Sequence, residues 1–338
     1  MTEKIAVLGA GSWGSMLAAI LNENGHEVQL WTRSAAQADE LNQKHTNRAY
    51  IQNYTFPENL RASTDLETVL TGATEILFIV PAQATRAVAT EVDRILAKLG
   101  QRPALIHGSK GLETTTHLRV SQILAETISP EHRTSISVIS GPSHAEGVVK
   151  HDPTLVTVAS DDFDAAQRFQ HLFMNDYFRV YTNADVIGVE FGGALKNIIA
   201  LASGALAGLG YGDNARAALM TRGVAEISRL GVSFGANPLT FAGLSGMGDV
   251  IVTATSTNSR NYRAGYQLGQ GVPLADVVAN MGMVIEGIAT SQSAYELAQT
   301  TGISMPITEA IHAVLEQEET VETAIHHLMT REGQAENG

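Results

Sequence analysis

The chain has 338 residues, of which 44% are hydrophobic and 17% are charged, values typical of a soluble globular protein with two domains. Its 22 Lys and Arg against 35 Asp and Glu give a formal net charge of −13. This acidity argues against a nucleic-acid partner, since phosphate binding needs a basic stripe, and the absence of cysteine excludes disulfides and thiolate chemistry.

The N-terminus reads MTEKIAVLGAGSWG, in which the apolar run before the glycines is too short for the core of a signal peptide. The lack of cysteine is compatible with a reducing compartment. We therefore expect a cytoplasmic protein.

Short apolar runs alternate with helix-length segments through the first half of the chain. The predicted strands are residues 5–8, 28–31, 76–80, 104–107, 136–140, 155–159 and 178–181. The predicted helices include residues 16–24, 85–99, 118–127 and 162–173. Runs of Ile, Val and Leu separated by helices are typical of a parallel sheet covered on both faces. Residues 1–185 are therefore predicted to form a doubly wound, mostly parallel α/β domain.

A glycine motif of the form G-x-G-x-x-G, residues 9–14, follows the first predicted strand directly and opens a helix that ends at Gly25. In such a motif Gly9 permits a tight turn and Gly11 lets the backbone approach a pyrophosphate. Gly14 allows the helix to pack closely on the strand, and the helix N-terminus offers free N–H groups to phosphates. The motif predicts a Rossmann-type dinucleotide-binding domain.

The end of the second predicted strand bears on the choice of cofactor. An NAD-specific site usually places Asp or Glu there, but this chain reads Trp31-Thr32-Arg33-Ser34. Arg33 can pair with the 2′-phosphate of NADP, so we predict NADP as the preferred cofactor, with NAD also accepted. The alternative is that Arg33 is an ordinary solvated loop cation.

Two further segments follow predicted strands at the sheet edge where open α/β folds bind ligands. Lys110 comes after residues 104–107, and Gly141-Pro142-Ser143 comes after residues 136–140 and before a short helix that begins near His144. Both are candidate contacts to a phosphate or a nicotinamide amide. Taken alone, each also fits an ordinary turn.

After about Asp185 the sequence becomes rich in Gly and Ala with few strand formers, which predicts an all-α domain over residues 186–338. Glu190 and Lys196 interrupt its longest apolar stretch, so no stable membrane insertion is expected. Burial among small and apolar neighbours would lower the pKa of Lys196 toward the range useful for acid–base catalysis. A lysine that only extends its amine to solvent is the alternative.

Three polar clusters lie beside apolar runs in this half, at residues 246–249, 259–261 and 284–287. From the residues alone, Asp249 also fits a turn or helix cap, and Arg260 also fits a surface cation. The eleven His residues show no metal-ligand spacing, so no metal site is predicted.

Seven segments in this order, GAGSWG, SKGLE, ISGPSHAEG, GVEFGGALKNIIA, GDNARAALMTRG, GMGD and SRNYRAG, give the chain a family resemblance. From about Lys4 to Pro306 it resembles the NAD(P)-dependent glycerol-3-phosphate dehydrogenases of the bacterial type. The resemblance implies reversible reduction of dihydroxyacetone phosphate to sn-glycerol 3-phosphate for phospholipid synthesis.

The same resemblance implies roles for individual residues. The implied catalytic residues are Lys196, Asn197, Asp249, Thr253 and Lys110. The implied substrate contacts are Lys110, Gly141, Ser143, Lys196, Asp249, Ser259, Arg260 and Asn261. The implied cofactor contacts are Gly9, Gly11, Ser12, Trp13, Gly14, Arg33, Tyr50, Lys110, Ala145, Arg260, Val284 and Glu286. By this resemblance Lys196 is the proton donor and acceptor, and Arg260 binds the substrate phosphate.

Some alternatives stay open at this point. His144 stands where many relatives have Phe, a departure from the family pattern. A β-hydroxyacid or ketopantoate-type reductase would share the two domains and a helix-borne lysine, but would need a carboxylate site. A non-catalytic NAD(P)-sensing protein would not need Lys196 in the cleft. The helical domain could also offer the face of a homodimer.

Overall fold

The N-terminal half of the protein forms one eight-stranded sheet. The computed structural model describes residues 2–333 and 335–336. The strands are β1 (Lys4–Leu8), β2 (Glu27–Trp31), β3 (Arg61–Ser63), β4 (Glu75–Phe78), β5 (Ala104–His107), β6 (Ile136–Ser140), β7 (Thr154–Ser160) and β8 (Phe178–Asn183). Their spatial order is β3-β2-β1-β4-β5-β6-β7-β8, and only the pair β6 and β7 is antiparallel. The predicted mostly parallel, doubly wound sheet is confirmed.

One strand was missed by the sequence analysis. Strand β3 has three residues, Arg61–Ser63, and pairs only with β2 at the sheet edge. Because it is short and two of its three side chains are polar, it lacks the apolar run by which the other strands can be recognised.

Helices cover both faces of the sheet. They are α1 (Ser12–Glu23), α2 (Ala35–Lys44), α3 (Leu66–Leu70), α4 (Thr85–Leu99), α5 (Val120–Thr127), α6 (Ala145–Val148) and α7 (Phe163–Phe173). Along β1, Ile5 and Val7 join one apolar cluster with α1 and α7, whereas Ala6 and Leu8 join a second cluster with α3, α4 and α5. This alternation follows from the two-residue period of a strand, and it buries the strand on both sides.

The second half of the described chain is helical. Its helices are α8 (Val186–Gly208), α9 (Asp213–Ser233), α10 (Pro238–Phe241), α11 (Asp249–Thr255), α12 (Arg260–Gly269), α13 (Leu274–Met281), α14 (Glu286–Thr301), α15 (Pro306–Leu315) and α16 (Val321–Met329). A π-helical turn, Leu244–Gly248, leads directly into α11. The predicted all-α second domain is confirmed.

Helix α8 is the central helix of this half. It is long and apolar enough to cross a bilayer, but 94% of its most apolar stretch is buried inside the protein, so it is a core helix. Helix α12 packs closely on it, because a Cβ at Gly204 would overlap the carbonyl oxygen of Tyr262, and one at Gly265 would overlap that of Leu201. These glycines bring the start of α12 next to the middle of α8.

The junction between the two halves is short. Strand β8 ends at Asn183, and α8 begins at Val186 with the Asp185 side chain accepting a hydrogen bond from the Gly188 N–H at 2.8 Å. We propose the division into domains 1–185 and 186–338 on this basis; residues 1, 334, 337 and 338 of these ranges lie outside the described part.

Candidate active site

A cleft of about 880 Å³ lies between the carboxyl ends of the parallel strands and helices α8, α11 and α12. Its floor is the point where the strand order reverses between β1 and β4, the usual ligand site of a doubly wound sheet. The predicted site residues that line it are Gly9, Gly11, Ser12, Trp13, Gly14, Arg33, Tyr50, Lys110, Ser143, Ala145, Lys196, Asn197, Thr253, Ser259, Arg260, Asn261, Val284 and Glu286. The other two predicted site residues, Gly141 and Asp249, are buried and do not line the cleft directly.

The glycine motif forms the turn between β1 and α1. Gly9 has a φ of +120°, which favours glycine, and a Cβ at Gly14 would overlap the Gly9 carbonyl oxygen. A Cβ at Gly11, by contrast, would meet no atom within 4 Å. The backbone at Gly11 is therefore open to the cleft, and the first N–H groups of α1 are available to an anion.

Two buried or half-buried amides that the sequence analysis missed hold this turn in place. Gln37 Nε2 donates to the Ala10 carbonyl at 2.7 Å and to Asn47 Oδ1 at 3.1 Å. Asn47 Nδ2 donates to the same carbonyl at 2.9 Å. Neither residue was a predicted site residue, because the hydrogen bonds of both side chains to this turn depend on the tertiary fold.

The rim of the cleft near β2 is formed by the turn after that strand and by the segment around Tyr50. Arg33 is exposed at this rim, and Ser34 caps α2 by accepting a hydrogen bond from the Gln37 N–H at 3.2 Å. Ser12 Oγ donates to the Tyr50 carbonyl at 3.0 Å, which holds residues around Tyr50 over the start of α1. No carboxylate side chain from β2 or the turn after it lines the cleft.

Three charged side chains from different elements meet at the base of the cleft. Lys196 Nζ, on α8, donates to Asp249 Oδ1 and to Thr253 Oγ1, the latter at 2.8 Å. Lys110 Nζ, in the loop after β5, donates to Asp249 Oδ2 at 2.6 Å. Ser140 Oγ, at the end of β6, donates to the same oxygen at 3.2 Å. One carboxylate therefore holds two lysines, one from each half of the protein.

Burial and charge set the proton affinity of Lys196. Burial lowers its pKa, the Asp249 carboxylate raises it and the Lys110 ammonium lowers it, with a net decrease to about 7. Burial raises the pKa of Asp249, but the two lysines together hold it below its ordinary value. Asp249 therefore stays ionised while Lys196 can gain and lose a proton near neutral pH.

The N-terminus of α12 forms the opposite wall. Ser259 caps it by accepting a hydrogen bond from the Tyr262 N–H at 3.2 Å, and Arg260 Nη1 donates to the Val284 carbonyl at 3.1 Å. The free N–H groups of the first turn and the Arg260 guanidinium together suit an anion.

The Asn261 side chain is occupied by protein partners. Its Nδ2 donates to Asn197 Oδ1 at 2.8 Å, and its Oδ1 accepts from the Gly287 N–H at 2.9 Å. This arrangement orients Asn197 beside Lys196, and it leaves the second Nδ2 hydrogen and the second Oδ1 lone pair of Asn261 free of these two partners at the cleft wall.

Two further observations suit a nicotinamide dinucleotide in this cleft. Trp13 lines it with a buried Nε1 that has no hydrogen-bond partner among the described residues. Glu286 Oε1 accepts weakly from the Ala82 N–H at 3.4 Å, while its Oε2 is buried without a partner in the described part. Burial raises the pKa of Glu286, opposed by that N–H and by Arg260.

No cluster of metal-ligating side chains occurs in the chain as described.

Comparison with known families gives matches to both halves of the chain. The model of the NAD-dependent glycerol-3-phosphate dehydrogenase N-terminus matches residues 4–166, and that of the C-terminus of the same family matches residues 185–326. The glycerol-3-phosphate dehydrogenase [NAD(P)+] of Lactiplantibacillus plantarum is 61% identical over 336 residues, 99% of each chain.

Solved structures agree with these matches. A glycerol-3-phosphate dehydrogenase from Coxiella burnetii superposes with a TM-score of 0.91 at 38% identity, covering 98% of this chain and 99% of that one. A PanE/ApbA family ketopantoate reductase from Ralstonia eutropha has a TM-score of 0.61 at 16% identity over 95% of this chain and 99% of that one. The second similarity shows a shared fold alone.

Proposed function

The chain belongs to the NAD(P)-dependent glycerol-3-phosphate dehydrogenase family, a family of oxidoreductases, and we propose that Lys196 is its proton donor and acceptor. The proposed reaction is the reversible reduction of dihydroxyacetone phosphate to sn-glycerol 3-phosphate. The observation that carries the proposal is the contact of Lys196 with Asp249 and Thr253 at the base of the dinucleotide cleft.

The residues at the base of the cleft suit this chemistry. When bound, the nicotinamide supplies or accepts the hydride at the substrate carbon. As negative charge develops on the carbonyl oxygen, a cationic Lys196 can stabilise it and then donate a proton. Asp249 holds the Lys196 amine in place, and Lys110 adds a second positive charge from the opposite side. In the reverse direction, neutral Lys196 removes the hydroxyl proton.

One assay tests the activity. NADPH oxidation is followed by absorbance with dihydroxyacetone phosphate, with ketopantoate and without substrate. Turnover with the phosphorylated triose alone supports the proposal, whereas turnover with ketopantoate or with no ketone at all contradicts it.

We propose that Arg260 and the α12 N-terminus bind the substrate phosphate. Arg260→Lys should raise KM for dihydroxyacetone phosphate by about 10-fold and Arg260→Ala by about 100-fold, because an ammonium cannot bind phosphate bidentately. The kcat should change by less than about threefold, as expected for a contact that is equally strong in ground and transition states.

Arg263→Ala is the matched control, since Arg263 is an exposed arginine on the same helix that does not line the cleft. Steady-state kinetics with dihydroxyacetone phosphate and with unphosphorylated dihydroxyacetone distinguishes the outcomes. If Arg260→Ala loses as much activity on the unphosphorylated ketone as on the phosphate ester, Arg260 does not bind the phosphate.

We propose that Arg33 gives the protein a preference for NADP over NAD. The exposed guanidinium at the end of β2, with no carboxylate from that strand in the cleft, supports this preference. Arg33→Ala should raise KM for NADPH by about 10- to 100-fold, the loss of one charge-assisted contact, and leave KM for NADH unchanged.

Arg94→Ala controls for the loss of one positive charge, since Arg94 is exposed on α4 and paired with Glu91. Both KM values are measured by absorbance for wild type and the two variants. An unchanged ratio of the two KM values in Arg33→Ala would overturn the assignment.

We propose that the protein is a cytoplasmic enzyme and that its product, sn-glycerol 3-phosphate, supplies the backbone of phospholipids. A homodimer stays a prediction, which the mass in solution by light scattering tests.

A further inference from the structure

His144 lies in the turn after β6, where it lines the cleft and is half-buried. Its Nε2 lies 3.1 Å from the carbonyl oxygen of Val252. Because a carbonyl only accepts, Nε2 carries the proton and donates it. Burial and the charge of Lys196 lower the pKa of His144, opposed by the Val252 carbonyl, Glu146 and Asp249.

The acceptor of this hydrogen bond is in the last turn of α11. The last four carbonyls of a helix have no partner within it, and side chains often supply one. Here His144 donates to Val252, and Ser203 Oγ from α8 donates to the Ala254 carbonyl at 2.6 Å. One side chain from each half of the protein therefore donates a hydrogen bond to a carbonyl group in the last turn of α11.

Helix α11 carries both side chains that hold the amine of Lys196. Asp249 is its first residue, and Thr253 is next to Val252. A Cβ at Gly248 would lie 3.4 Å from Pro142 Cγ, so the turn that contains His144 is also in near contact with the start of α11. A shift of α11 relative to this turn would move Asp249 and Thr253 against Lys196.

We propose that His144 is a positioning residue. Its hydrogen bond to the Val252 carbonyl holds α11 in place and so keeps Asp249 and Thr253 within hydrogen-bond distance of Lys196. This role rests on the proposed function of Lys196. His144 itself transfers no proton in the reaction, and its contribution is to kcat rather than to cofactor binding.

Two substitutions separate the effect of the His144 N–H donor on kcat from the effect of its side-chain volume. His144→Phe keeps a ring of similar size but has no donor, and it should lower kcat about 10-fold with KM for NADPH within twofold. His144→Gln can place an amide N–H near the position of Nε2, and it should recover at least half of the wild-type kcat. Steady-state kinetics and thermal melting are measured for both.

His171→Phe is the matched control. His171 Nδ1 lies 2.7 Å from the Gln167 carbonyl on the exposed face of α7, so this variant also removes an imidazole contact to a helix carbonyl. Its kcat should equal that of wild type.

Each remaining outcome has one meaning. A His144→Phe kcat within twofold of wild type, or a His144→Gln kcat as low as that of His144→Phe at an equal melting temperature, overturns the positioning role. An inactive wild type contradicts the proposed function instead, and is seen before any variant is compared. If His144→Phe does not fold, His144→Leu takes its place as the variant without a donor, with the same 10-fold loss of kcat expected and a kcat within twofold of wild type overturning the role.

Discussion

Lys196→Met should reduce kcat for dihydroxyacetone phosphate reduction by about 10²- to 10⁴-fold, the contribution typical of a positioned general acid. Met retains most of the side-chain volume in this buried position but has no proton to give. The dissociation constant of NADPH, measured by fluorescence, should change by less than about threefold, because the glycine turn, Arg33 and Trp13 are unaffected. Rapid-mixing absorbance gives the rate of the hydride step directly.

Two other lysines make the result specific. Lys98→Met removes an exposed lysine that pairs with Glu67 far from the cleft, and its kcat should equal that of wild type. Lys110→Met removes the second lysine on Asp249 and should leave a pH-dependent activity, because Lys196 is still present. If the kcat of Lys196→Met lies within 10-fold of wild type, a group other than Lys196 donates the proton.

The sheet could be predicted from sequence because its strands are buried on both faces. Such strands appear as continuous apolar runs, and seven of the eight were recognised within three residues at each end. Strand β3 and helix α2 were not recognised, since neither carries a strong apolar pattern. The antiparallel pairing of β6 with β7 depends on the path of the chain between them, which local sequence does not encode.

The residue types of the candidate site could be predicted from the sequence, but the hydrogen bonds and ion pairs between them could not. Lys110, Lys196 and Asp249 are separated by 53 to 139 positions, so nothing local indicates that one carboxylate binds both lysines. The sequence also did not reveal that the side chain of Asn261, a predicted substrate contact, hydrogen-bonds to Asn197 and to the Gly287 N–H. These are tertiary contacts, and they depend on the packing of α8 against α11 and α12.

The net charge of −13 is unfavourable for anionic ligands at long range, so local cations must attract them. Arg33, Lys110, Lys196 and Arg260 all line the cleft, together with the N-termini of α1 and α12. Asp249 is the negative group that both lysines contact, and its carboxylate raises the pKa of Lys196. The attraction of substrate and the acidity of Lys196 therefore depend on the same carboxylate.

Asp249→Asn should lower kcat by about 10²- to 10³-fold and shift the pH profile, because it leaves two lysines facing each other without a counter-charge. In wild type, reduction needs protonated Lys196, so the rate falls as pH rises through about 7. Asp249 raises the pKa of Lys196, so its loss lowers that pKa further, and the falling limb moves to lower pH. For glycerol 3-phosphate oxidation, which needs neutral Lys196, the rising limb moves to lower pH as well.

The double variant Asp249→Asn with Lys110→Met tests the electrostatic cause. Lys110 lowers the pKa of Lys196, so removing both groups should move the limb back toward the wild-type pH even though kcat stays low. Profiles of kcat between pH 5 and 9, with the melting temperature of each variant as a check on folding, give the comparison. A limb that stays at the wild-type pH in Asp249→Asn would show that Asp249 does not control the proton affinity of Lys196.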